Sequence, residues 1–97
     1  MTYKAFLMRA VESFLGTLSP ANRGQIRADI VLLENGDFQT PYTKKLKGVI
    51  RELIVGNYRL IFFIKGSIIY FTGAFRKKSA KTPIKEISRA EKYYKLI

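Results

Sequence analysis

The spacing of apolar residues changes once along the chain, and that change divides it into two kinds of structure. In the first part Leu7, Val11, Phe14, Leu15 and Leu18 recur at i, i+4, i+7, i+8 and i+11. That spacing predicts one amphipathic helix, with only residues 1–4 ahead of it. Ser19-Pro20 is a start signal for a second helix, Ser19 as N-cap and Pro20 in the first turn. Ile26, Ile30 and Leu33 line its inner face, and Asn35-Gly36-Asp37 closes it. The two make a helical hairpin. From Val49 the period becomes two, and Val49–Val55, Tyr58–Lys65 and Ile68–Phe75 read as strands joined by turns at Gly56-Asn57 and Gly66-Ser67. Such strands form an antiparallel meander. Thr82-Pro83 repeats the cap-and-proline signal, and Ile87, Ala90, Tyr94 and Ile97 mark the inner face of a last helix.

Alternation assigns faces. Tyr58, Leu60, Phe62 and Ile64 share one side of the middle strand and should pack on the helices, which turns Arg59 toward the more open side. In the preceding strand Glu52 lies with Ile50 and Ile54, and Arg51 with Val49, Leu53 and Val55. Periodicity does not say which of Arg51 and Glu52 shares a face with Arg59.

At 97 residues the chain is read as a single domain, residues 1–97. At that size roughly two-thirds of the unfolded surface can be buried. An apolar fraction of 47% fits a packed core and argues against disorder. The longest apolar runs are far below the roughly twenty residues of a membrane span, and no signal peptide is visible, so a cytoplasmic location without membrane attachment is expected.

Charge sharpens the picture. Residues 1–43 carry four cations and four acids, whereas residues 44–97 carry fourteen Lys and Arg against three acids. The formal charge of +11 therefore belongs to the half that holds the strands. A basic sheet backed by neutral helices suits a polyanion, RNA first. Neither cysteine nor histidine is present. Disulfides, thiolate metal sites and the usual general base are thereby excluded, and the carboxylates form no visible cluster, so no metal or other cofactor is expected.

Five elements in order carry a resemblance: Lys45-Leu46-Lys47-Gly48, Arg51-Glu52-Leu53, Tyr58-Arg59-Leu60-Ile61-Phe62-Phe63, Phe75-Arg76-Lys77-Lys78 and Lys81-Thr82-Pro83, followed by Glu86-Ile87 and Ala90. This run resembles the phage-derived, HigB-like branch of the RelE/ParE toxin superfamily of type II toxin–antitoxin systems, over roughly residues 10–95. The resemblance implies an α+β, RelE-like fold, with an N-terminal helical hairpin and a C-terminal helix packed on a small antiparallel sheet. It implies a metal-independent endoribonuclease that cleaves messenger RNA, in association with the ribosome, and inhibits translation. It also implies an antitoxin partner, of the helix-turn-helix, HigA-like kind. Two departures stand out. Relatives begin with a strand ahead of the hairpin, for which residues 1–4 leave little room. Ile54 stands where an arginine is common.

Metal-free RNA cleavage needs a base for the ribose 2′-OH, cations for the phosphorane and an acid for the leaving oxygen. On the resemblance Glu52 is the candidate base and Arg59 the phosphate clamp. Lys77 and Lys78 supply further charge or the acid. Lys45, Lys47, Arg51, Arg76 and Lys81 are candidate RNA-binding residues. Glu52 reads as readily as an ion-pair partner of Arg51 or Arg59, and the Arg76–Lys78 run by itself as a solvated loop. Tyr70, Phe71 and Phe75 belong to the core more readily than to a base-stacking platform. Two further readings stay open: a ParE-like toxin that inhibits gyrase, and a catalytically weak member that binds RNA or antitoxin.

Overall fold

The computed structural model describes residues 2–97, and Met1 lies outside the described residues. The chain runs β1 (Lys4–Leu7), α1 (Arg9–Gly16), α2 (Pro20–Glu34), β2 (Tyr42–Lys47), β3 (Ile50–Val55), β4 (Tyr58–Lys65), β5 (Ile68–Arg76) and α3 (Ile84–Leu96). The strands form one sheet in the order β1-β5-β4-β3-β2, antiparallel except where β1 runs parallel to β5. The α+β arrangement expected from the sequence is present.

Each face of the sheet has its own core. On one, Val11 and Leu15 of α1 and Ile26, Ile30 and Leu33 of α2 pack on Leu53, Leu60, Phe62, Ile69 and Phe71. This is the face to which alternation assigned Tyr58, Leu60 and Phe62. On the other, α3 brings Ala90, Tyr93 and Tyr94 against Ile50, Ile61, Phe63 and Tyr70. That helix covers only part of its face. The uncovered part, toward Tyr42, Ile54 and Arg59, is where a site can form.

Local signals explain most boundaries. The Ser19 hydroxyl accepts from Asn22 N at 3.2 Å, with Pro20 in the first turn; such a cap contributes about 1 kcal/mol. Gly56 and Gly66 have φ of 58° and 64°. They occupy the first turn positions of the β3–β4 and β4–β5 hairpins, where a type II′ loop needs a left-handed residue. Between α2 and β2 the Asp37 carboxylate accepts from the Gln39 and Thr40 amides at 3.0 and 2.9 Å.

Four expectations are corrected. A strand does precede the hairpin: Lys4–Leu7 is β1, paired with Ile68–Phe71. Leu7 is therefore not on the first helix, which starts at Arg9. β1 is fixed from a distance, since Tyr3 N donates to Glu34 O at 2.7 Å and Ala5 N to the Glu34 carboxylate at 2.8 Å. β2 was not foreseen. Finally, Pro83 rather than Thr82 is the N-cap of α3, and the helix has no side-chain cap. The Thr82 hydroxyl is committed elsewhere.

Candidate active site

The register lays two rows of side chains across the open part of the second face. Partners directly opposite each other in adjacent strands share a face. One row is Tyr42, Ile54, Arg59, Phe75 and the next is Lys44, Glu52, Ile61, Gly73. The ambiguity left by periodicity is thus resolved: Glu52 shares a face with Arg59, and Arg51 does not. The segment leaving β5 folds back over these rows and contributes Lys77, Lys81 and Thr82, enclosing a cleft of about 250 Å³. Four cations (Lys44, Arg59, Lys77 and Lys81) and the carboxylate of Glu52 line it.

Glu52 is only 4% exposed. Its Oε1 accepts from Thr82 Oγ1 at 2.8 Å. Thr82 immediately precedes the N-cap of α3, so this bond ties the loop that carries Lys77 and Lys81 to the central sheet. Arg59, 9% exposed, is held from behind: its Nη1 donates to Gly56 O at 2.9 Å and to Tyr58 O at 3.0 Å. Among the described residues Nη2 and Nε donate to no partner. Among the described residues neither Glu52 nor Arg59 is ion-paired. A buried carboxylate and a buried guanidinium facing one cleft without neutralising each other are available to a substrate that brings both a proton to lose and a negative charge.

Not every residue read from the sequence arrives here. Glu52, Arg59, Lys77 and Lys81 do. Lys78, next to Lys77, lines a separate groove. Arg51 and Lys45 pair with each other in register and lie on the opposite face, with the Arg51 guanidinium on the Thr43 hydroxyl at 3.1 Å. Lys47 is drawn toward α3 by an ion pair with Glu91 at 3.1 Å. Arg76 stacks over Tyr58 and donates to its hydroxyl at 3.2 Å. Phe71 is core, as expected, whereas half-buried Phe75 reaches the cleft.

The lining residues that were not foreseen include Lys44, Tyr42 and Thr82. Lys44 lies opposite Glu52, and alternation would have found it had β2 been recognised. Tyr42 is 68% exposed at the mouth. Thr82 was read as a helix cap. Ile54 lies in the row beside Arg59, at the position where the resemblance expects an arginine.

The likeness to known proteins agrees with this geometry. The family model described as phage-derived protein Gp49-like (DUF891) matches residues 13–95. No curated protein matches significantly. Among solved structures, a double-arginine mutant of the E. coli toxin RelE in its free state superposes with a TM-score of 0.69 at 17% identity, covering 96% of this chain and 98% of that one. A chain of the RelB–RelE antitoxin–toxin complex from Methanococcus jannaschii gives 0.64 at 21%, covering 73% and 88%. The RelBE2 toxin–antitoxin complex from Mycobacterium tuberculosis gives 0.56 at 15%, covering 79% and 100%. At these identities the likeness establishes the fold alone. The chain belongs to the phage-derived Gp49-like family and has the fold of the RelE toxins.

Proposed function

We propose that this protein is the toxin of a toxin–antitoxin pair, a metal-independent endoribonuclease that cuts messenger RNA, in association with the ribosome, and so arrests translation. The observation that carries the reading is the cleft itself: an unpaired, buried carboxylate and guanidinium on one face, ringed by three lysines, on a chain of this family. Solved structures that share its fold include toxins in complex with their antitoxins, which supports an antitoxin partner for this chain as well.

The chemistry follows from where the groups sit. Glu52 takes the proton of a ribose 2′-OH, and Thr82 keeps the accepting carboxylate aimed into the cleft. The 2′-oxygen attacks the adjacent phosphorus. Negative charge builds on the non-bridging oxygens as the pentacoordinate state forms. Arg59, already fixed by its two backbone carbonyls, meets that charge without reorganising, the condition under which such groups are most effective. Lys77 donates a proton to the departing 5′-oxygen. The products are a 2′,3′-cyclic phosphate and a 5′-hydroxyl. Lys44 and Lys81 grip the flanking backbone, and Tyr42 offers an exposed ring to a neighbouring base.

The test is inducible expression of the wild-type chain and of Arg59→Ala, with transcript 5′ ends mapped across the cell. The reading expects growth arrest and new ends inside translated frames, both lost in the variant. Arrest with intact messages would refute it in favour of a gyrase-type target. Absence of arrest with the wild-type chain would instead indicate a catalytically weak member, for which Ile54 in the cleft is the structural reason.

A further inference from the structure

The sheet has an open edge that the cleft does not use. Among the described residues β1 pairs only with Ile68–Phe71, and Met8 N donates to Phe71 O as the chain turns into α1. Gly73–Arg76 therefore have no strand on that side among the described residues. A groove of about 460 Å³ lies along them, a size usual for a small-molecule site. Phe14 of α1 walls it on the hairpin side, and Phe75 and Pro83 on the other. Lys78, Lys81 and Lys85 supply positive charge around it. The carboxylate of Glu86 also reaches its wall, already ion-paired with Arg89 at 3.4 Å.

Aromatic and apolar walls among cations are what a nucleotide of a single strand requires: a surface for the base and charge for the phosphates. The groove moreover adjoins the cleft, since Phe75, Ser79 and Lys81 line both. A peptide adding to the strand edge fits less well. The free stretch of β5 is only Gly73–Arg76, and alternate residues of a strand direct their backbone groups to opposite sides. Few outward-facing groups remain for a ladder.

We propose that this groove is a second nucleotide subsite, holding a base that flanks the scissile phosphate on the same RNA strand, with Lys81 between the two sites and Lys85 on the phosphate beyond. This rests on the reading of the cleft as an RNA site. It assigns a binding role to Phe14, Pro83 and Lys85, none of which belongs to the cleft.

The test uses the full chain with fluorescently labelled, 2′-O-methylated oligoribonucleotides, which bind but offer no attacking hydroxyl. Anisotropy compares a dinucleotide with a tetranucleotide. The expected gain for the longer strand is about tenfold, the order of one stacked base. It should vanish in Lys85→Glu, survive in Lys85→Arg, and vanish when the flanking residue is abasic, while dinucleotide affinity stays constant throughout. Equal affinity for the two lengths, or a gain that persists in Lys85→Glu, overturns the subsite and leaves the cleft reading standing. Absence of binding at either length overturns both. If Lys85→Glu abolishes binding of a poly-glutamate peptide but leaves the length gain intact, the groove docks protein and the proposal fails.

Discussion

Replacing Thr82 by valine keeps the shape of the side chain and deletes the hydroxyl that donates to Glu52 at 2.8 Å. Glu52 is 4% exposed, so water cannot freely take the vacated place. A hydrogen bond to a charged group contributes about 1.5–3 kcal/mol. Thr82 is itself only half-buried, which moves the expectation to the low end, about 1.5 kcal/mol. For a domain of this size about 1 kcal/mol shifts Tm by roughly 4–8 °C, so Thr82→Val should melt roughly 6–12 °C lower. Urea unfolding followed by far-UV circular dichroism, on Thr82→Val, Glu52→Leu and the double variant, isolates the pair. A coupling of about 1 kcal/mol or more is expected, against the roughly 0.3–0.5 kcal/mol within which independent sites add. Thr82→Ser should recover most of the loss. The functional arm asks more. If the bond aims Glu52, Thr82→Val lowers the cleavage rate at saturating RNA more than it weakens binding, and serine restores the rate. Coupling within the additive range, or a rate loss that serine does not repair, would refute the argument.

Two further outcomes follow from the placement of charges. Lys44→Ala should lower the slope of log affinity against log salt for single-stranded RNA by about 0.7, one phosphate contact, whereas Lys45→Ala, on the opposite face, should leave it unchanged; equal effects would contradict the assignment of faces. The Asp37 carboxyl is held below its ordinary value of 3.8 by hydrogen bonds from the Thr40 side chain and from the Thr40 and Gln39 amides. A depressed folded-state value contributes stability that is present above the unfolded value and is lost as pH falls through the folded one. Asp37→Asn should thus melt below wild type at neutral pH, and the gap should close in acid below pH about 4; a gap independent of pH would exclude this linkage.

How much could be read beforehand depended on whether a signal was local. The alternation of Tyr58, Leu60 and Phe62 against Arg59, Ile61 and Phe63 is written into consecutive residues, and the faces came out as read. The glycine turns and the Ser19 cap are equally local. β1 was hidden because Leu7 happens to continue the helical stripe of Val11 and Leu15. What makes Lys4–Leu7 a strand is Ile68–Phe71 on one side and Glu34 on the other, neither of which is near in sequence. β2 was hidden by its lysines, which have little strand preference of their own; pairing with β3 forms it. The same cause explains the site. Glu52, Arg59, Lys77 and Lys81 stood in recognisable motifs, whereas Lys44 depends on the missed strand. Thr82 had two plausible partners, the helix behind it and the carboxylate across the sheet. Capping asks the hydroxyl to accept and Glu52 asks it to donate; the N-cap falls one residue later, at Pro83, and no count of spacing reveals the bond to Glu52.

The parallel pairing of β1 with β5 has a consequence for the order of events during synthesis. Lys4–Leu7 are made well before their strand partner, Ile68–Phe71. Contacts so far apart in sequence close a long loop and are slow to form. Lys77, Lys81 and Thr82 follow later still. A nascent chain can form the helical hairpin and the β2–β3 turn early, but it has neither a closed sheet nor a complete cleft until Thr82 has emerged. Whatever the cleft does is thereby withheld until β5 and the segment after it have been made, with the delay written into the topology.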